Sequence, residues 1–219
     1  WVVLPGFWGN DTTELAVGVS STRIDPDLLT GNTASNASVA VGLNGTLIDD
    51  LVVPSQLGLP LVLTGELTVN AGVAMTVEAG AVIKGAGYDG WSGYGSMASL
   101  RVLGSLDVNG TALEPVVFTS IRDDSVGGDT NRDGTATAPA VSNWSGIRVG
   151  RSAVDAPPVV SLDHAKIRYA STGVSRSEGT WSPLTLDWVP GPLSITNTEF
   201  SHVSRSVVVK SRSSVTVAD

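Results

Sequence analysis

The sequence predicts an all-β fold, a stack of short strands wound as a parallel β-helix. Three observations carry that expectation. Between Leu61 and Gly85 the apolar runs Leu67-Thr68-Val69, Met75-Thr76-Val77 and Ala81-Val82-Ile83 are divided by Asn70-Ala71-Gly72 and Glu78-Ala79-Gly80. Short alternating or wholly apolar runs with turn formers between them read as strands of about three residues joined by tight corners. A strand that short cannot bury its own apolar face and needs copies stacked above or below it, and the chain supplies such copies downstream. The composition agrees: 25 Gly and 11 Pro suit a chain with many corners, and 42% apolar content with only 5% aromatics leaves a core of Val, Leu, Ile and Ala, the filling of a narrow interior.

Taken in order, residues 1–60 do not fit the repeat. Leu15–Val19 and Val39–Leu43 are strand-like, with a polar Thr/Asn/Ser/Gly stretch between them. This segment reads as a cap or lead-in, because the first coil of a stack otherwise leaves an open sheet edge. The β-helix is expected over 61–219. After the first coil come Leu100-Arg101-Val102, Leu106-Asp107-Val108 and Val116-Val117-Phe118. A third coil has Ile147-Arg148-Val149, Val160-Ser161-Leu162 and Ile167-Arg168-Tyr169. A looser fourth keeps Leu193-Ser194-Ile195 and Glu199-Phe200, and a fifth opens at Val207-Val208-Val209 and stops at Val215-Thr216-Val217. Stripped of insertions each coil is ~20 residues with three strands, giving about four to five coils. The middle residue of each triplet, including Thr68, Arg101 and Arg148, points outward and its neighbours inward. Insertions fall near 85–99, 122–143 and 171–192, at corners, where function is grafted without disturbing the stack.

Net charge is −8 and the pI about 4.6. That balance argues against binding a nucleic-acid backbone or an anionic membrane. There is no Cys, hence no disulfide and no thiolate metal site. Apolar runs fall far short of the roughly 20 residues that span a bilayer. The chain starts at Trp1 rather than Met, and its last residues read as a strand just entered, so a processed or excised piece of a longer polypeptide is expected.

The sharpest local motif is Asp129-Thr130-Asn131-Arg132-Asp133-Gly134, the D-x-N-x-D-G form of a calcium loop. Side-chain oxygens at alternate positions, on a chain that Gly134 lets turn sharply, converge on one hard cation. The carbonyl of Thr135 is the next ligand in that pattern. The twelfth position is Ala140 rather than a bidentate Glu, and Asp123 or Asp124 is the candidate for the missing carboxylate. The competing account is a solvated acidic turn held by Asx hydrogen bonds. Bound Ca²⁺ here would be structural, pinning a long insertion to the stack. Tyr88, Trp91 and Tyr94, spaced by Gly, form either a platform for sugar rings or a packing or interface patch; Trp8, Trp181 and Trp188 read the same way. His164 and His202 are far apart and lack metal-ligand spacing, so neither zinc nor a Ser/His nucleophile is expected, and His164 reads as a corner residue. There is no G-x-S-x-G elbow or P-loop. Sequons occur at Asn10, Asn36, Asn44, Asn109 and Asn143.

From Leu61 to about Ala170 the chain resembles bacterial cell-surface proteins with right-handed parallel β-helix repeats of the pectin-lyase-like superfold. The resemblance is carried by LTVNAGVAMTVEAGAVIKG (67–85), GSLDVNGTALEPVVFTS (104–120), DDSVGGDTNRDG (123–134), NWSGIRV (143–149) and LDHAKIRYA (162–170). It covers about half the chain and implies a right-handed coil and a family of mixed function: adhesins, fibres, polysaccharide-binding proteins and some lyases. Lyases of this superfold use an outward Arg as base beside calcium-binding Asp residues, which makes Arg101 and Arg148 candidates. The expected function is a non-enzymatic extracellular or bacterial cell-surface module, structural or adhesive, partnered by other copies of itself or neighbouring surface proteins. The alternatives are a glycan-binding module using Tyr88, Trp91, Tyr94, Arg101 and Arg148, and a pectate-lyase-like enzyme.

Overall fold

The computed structural model describes residues 15–24, 40–54, 60–87, 97–150, 157–171, 182–187, 192–205, 207–209 and 216–218, and these contain strands, turns and no helix. In chain order the strands are β1 (Leu15–Ile24), β2 (Ala40–Leu47) and β3 (Leu51–Val53), then β4 (Leu61–Val69), β5 (Ala74–Glu78) and β6 (Val82–Gly85). Next come β7 (Ser99–Val102), β8 (Ser105–Asn109) and β9 (Val116–Ser120), then β10 (Gly146–Val149), β11 (Val159–Asp163) and β12 (Ala165–Arg168). The last are β13 (Leu184–Leu186), β14 (Leu193–Thr196), β15 (Glu199–Ser201), β16 (Val207–Val209) and β17 (Thr216–Ala218).

Every strand pair is parallel, and from β5 onward each strand pairs with the one three further along. The pairs form ladders that the chain visits in rotation. The first holds Leu67–Val69 of β4, then β7, β10, β13 and β16. The second runs β3, β5, β8, β11, β14, β17. The third holds Leu61–Leu63 of β4, then β6, β9, β12 and β15. A parallel pair needs a crossover between its strands; here the crossover is the rest of the coil. The chain is thus a parallel β-helix.

Register sorts the side chains. Leu67, Leu100, Ile147 and Leu184 share one inward row, as do Val69, Val102, Val149 and Leu186. Met75, Leu106, Val160 and Leu193 form a row on the second ladder, and Ile83, Phe118 and Ile167 one on the third. All of these are buried, each contributing about 1.5–3 kcal/mol on leaving water. Thr68, Arg101 and Arg148 alternate with them on the outer side, in register with one another and half-buried.

Three features differ from the sequence expectation. Parallel pairing does not begin at Leu61: β2 and β3 already pair with β4 and β5, and β1 pairs with β2. The repeat is hidden there because Gly42, Asn44 and Gly45 interrupt the apolar pattern. Second, β4 runs unbroken from the third ladder to the first, since Thr64-Gly65-Glu66 has no residue that forces a tight turn. The bend is absorbed as a bulge in which Asn44 of β2 lies opposite these three residues, its Nδ2 donating to Thr64 Oγ1 at 3.0 Å. Third, the stretch 171–192 is not wholly an insertion. It contains β13, whose Leu184, Thr185 and Leu186 are all buried.

Corners are tight. His164 and Asn197 hold left-handed backbone (φ 48 and 49) immediately after the paired residues Asp163 and Thr196. His164 thus takes the corner place that Asn takes one coil later, as its sequence position implied. Tyr169, expected to end a strand, is also left-handed (φ 57) and stacks on His202, ring centroids 4.7 Å apart. Inside, Trp144 is fully buried and its Nε1 donates to the Arg168 carbonyl at 2.9 Å. Gly85 makes room for it: a Cβ there would stand 2.6 Å from Trp144 Cβ. Gly85→Ala is therefore expected to destabilise the fold by about 1–3 kcal/mol through overpacking, read as a lowered Tm in thermal melts; an unchanged Tm contradicts the packing described.

Candidate metal centre

The third ladder carries structure on its outer side as well as its inner. All five residues of β9 are buried, whereas a strand with one wet face alternates. The segment after β9 covers that side. Ile121 packs with Ala40 and Val62 in a second small core. A Cβ on Gly127 would lie 3.3 Å from both Lys84 and Val82 and 3.5 Å from Pro60.

Lys84 fixes this cover. It sits on β6, fully buried, and its Nζ donates to the carbonyls of Asp123 at 3.0 Å and Gly128 at 2.6 Å. Burial holds its pKa down, to about 8, against the opposing pull of Asp124, Asp123 and Asp129. Asp123 is a second anchor. Its Oδ2 accepts from Thr119 Oγ1 at 2.6 Å, and its Oδ1 accepts from Ser125 N and Oγ. The sequence offered Asp123 and Asp124 as equivalents. In the fold Asp123 is turned to Thr119 and Ser125, and it is Asp124 whose carboxylate groups with those of the motif.

One ligand oxygen from each of Asp124, Asp129 and Asp133 lies within 4.8 Å of the others. Asp129 shapes the loop: Oδ1 accepts from Asp133 N at 3.2 Å and Oδ2 from Gly134 N at 3.0 Å. Gly134 (φ 67) and Arg132 (φ 56) are both left-handed, which produces the sharp turn the motif implied. Asn131 is fully buried. Its Nδ2 donates to Asp133 Oδ2 at 2.9 Å and Thr137 Oγ1 at 3.1 Å, and Thr137 Oγ1 donates to the same Asp133 Oδ2. Three secluded oxygens then remain without a hydrogen-bond donor: Asp124 Oδ1, Asn131 Oδ1 and Asp133 Oδ1. Asp124 is held above the usual carboxylate range, by burial first and then by repulsion from Asp129, with Lys84 opposing. The donor set is all oxygen, which suits a hard cation such as Ca²⁺. Thr135, the expected carbonyl ligand, is exposed in the same turn.

The outward arginines lie elsewhere. Arg101 and Arg148 are register partners on the first ladder. Arg101 Nη1 is 3.7 Å from Glu66 Oε1, and Arg148 Nη2 donates to Asp187 Oδ2 at 3.4 Å. Asp124, Asp129 and Asp133 form the sole cluster of metal-ligand type among the described residues, and its loop is anchored to the third ladder. Tyr88, Trp91 and Tyr94, together with Trp8, Trp181 and Trp188, lie outside the described residues. Lys84, Thr119 and Thr137 were not singled out from sequence; an outward Lys and two Thr carry no signal before the cover over them is known.

Residues 46–147, a little under half of the chain, match the family model described as a pectate-lyase-like β-helix domain. That agrees with the all-parallel ladders and puts the protein among the parallel β-helices. No curated protein and no solved structure matches the chain.

If Lys84 ties the cover down, its truncation leaves the Asp123 and Gly128 carbonyls without their donor. Lys84→Ala is expected to cost about 2–3 kcal/mol and to open 122–143 to limited proteolysis before the ladders are cut. Cleavage unchanged from the parent chain contradicts the anchor.

Proposed function

We propose that this chain is a non-enzymatic module of an extracellular or bacterial cell-surface protein, structural or adhesive in role, whose long insertion is held by a structural cation, calcium by donor type. The observation that carries this reading is the separation of its charged groups. Arg101 and Arg148 are each tied to a carboxylate, Glu66 and Asp187, on the first ladder, while the acidic cluster belongs to a loop anchored on the third. A lyase of this architecture needs a base and an acid-bound cation at one sugar ring, because proton abstraction requires both within contact of the substrate. Here the two elements are built on different ladders. The partners this reading expects are other copies of the chain or neighbouring surface proteins.

Incubation with polygalacturonate and Ca²⁺ at alkaline pH is expected to give no ultraviolet-absorbing unsaturated product; sustained product formation overturns the non-enzymatic reading. A second reading, a polysaccharide-binding module, is favoured by the family description and by two outward arginines in register on the first ladder. On a glycan array it predicts binding that Arg101→Ala or Arg148→Ala weakens at least tenfold, whereas the structural reading predicts no glycan bound.

A further inference from the structure

We propose that one Ca²⁺ is held by Asp124 Oδ1, Asn131 Oδ1 and Asp133 Oδ1 together with a carboxylate oxygen of Asp129, so that the ion ties the turn after β9 to the 129–134 loop and closes the insertion into a ring. This deepens the reading of the loop as structural and rests on it in that respect alone.

The argument starts from the oxygens without donors. A buried acceptor left unpaired costs about 1–3 kcal/mol, and such atoms in a native fold call for a partner. Three occur here on side chains of one small loop system. Asn131 is the most telling because it is uncharged and fully buried, so neither acidity nor surface position accounts for it. Its amide nitrogen is spent on Asp133 Oδ2 and Thr137, which places the amide inside the acidic cluster and leaves its oxygen bare. Asp133 repeats the pattern, with Oδ2 tied by two donors and Oδ1 free. In each case the protein's own bonds orient a side chain and leave one oxygen for something else. A water molecule there could donate to two of the three free oxygens and would leave the carboxylate charges uncompensated; a divalent cation answers all three oxygens and the charge at once.

The spacing admits Ca²⁺, and the all-oxygen donor set favours a hard cation. Ligand oxygens around Ca²⁺ stand about 2.3–2.6 Å from the ion, so two of them are separated by at most about 5 Å. The 4.8 Å limit on the Asp124, Asp129 and Asp133 oxygens fits within that. Mg²⁺ demands a tighter octahedron at about 2.0–2.1 Å. Asp124 thus stands in for the carboxylate that the motif lacks at Ala140. Lys84 and Asp123 hold the two chain ends that carry the ligands, through bonds that require no ion.

Isothermal titration of the chelator-treated chain with CaCl₂ tests this without any polysaccharide. The expected result is one Ca²⁺ per chain, with a Kd of about 10⁻⁴ M or tighter, weakened at least tenfold in Asp124→Asn and in Asp133→Asn. Asp107→Asn, an acid on the outer side of β8, is expected to leave it unchanged. Asn131→Ala, which removes the uncharged ligand oxygen, is expected to weaken binding as well. Circular dichroism verifies that each variant is folded; if Asp133→Asn does not fold, Asp124→Asn carries the test. No binding at 10 mM-scale Ca²⁺, equal affinity in Asp124→Asn, or Mg²⁺ bound as tightly as Ca²⁺ each overturns the assignment. Lyase turnover would end the non-enzymatic reading and leave this site standing, and absence of binding would do the reverse.

Discussion

Parallel backbone pairing between successive coils is the constraint on which the rest of this structure depends. A strand of three to five residues has too little length to stabilise a sheet alone, but each one here is hydrogen-bonded on both sides where coils lie above and below it. That pairing fixes register, and register decides which way every side chain points. The inward rows of Leu, Val, Ile, Met and Phe follow, and so does the alignment of Thr68, Arg101 and Arg148 on the outside. Several corners fall on residues in left-handed backbone, such as Gly72, His164 and Asn197.

The insertion after β9 has no ladder to join, so its polar groups are satisfied by side chains. Lys84, Asp123 and Asp129 do for this loop what strand pairing does for the coils. A buried ammonium is costly unless it is bonded, and the carbonyls of Asp123 and Gly128 offset that cost. The cover in turn shields Val62 and Ile121 from water. Function, on this account, is grafted where the stack is indifferent: the coils above and below continue in register whatever the loop holds.

The stack was legible in the sequence wherever an apolar triplet lay between clear corner residues. Met75–Val77, Leu106–Val108 and Ile147–Val149 all fall in the strands expected of them. It was illegible where glycine and asparagine break the pattern, as in β2, or where a single triplet lies among prolines and tryptophans, as in β13. The loop motif was legible because its spacing is local. The division of labour between Asp123 and Asp124 was not, since adjacent acids differ only in which side of the chain faces Thr119 and Ser125. Lys84 was hidden for a related reason: at an outward strand position lysine is ordinarily a solvated residue, and only the folded-over insertion makes it a buried anchor.

Hydrogen–deuterium exchange across the whole chain, followed by mass spectrometry with Ca²⁺ and with chelator, tests the central claim most directly. The claim is of a self-sufficient stack carrying a separately fastened insertion. It predicts slow exchange in peptides from β5, β8 and β11 under both conditions, and exchange over 124–134 that is fast in chelator and slow with Ca²⁺. Ladder peptides that lose protection together with the loop when Ca²⁺ is removed would contradict it, as would a loop whose exchange ignores the ion.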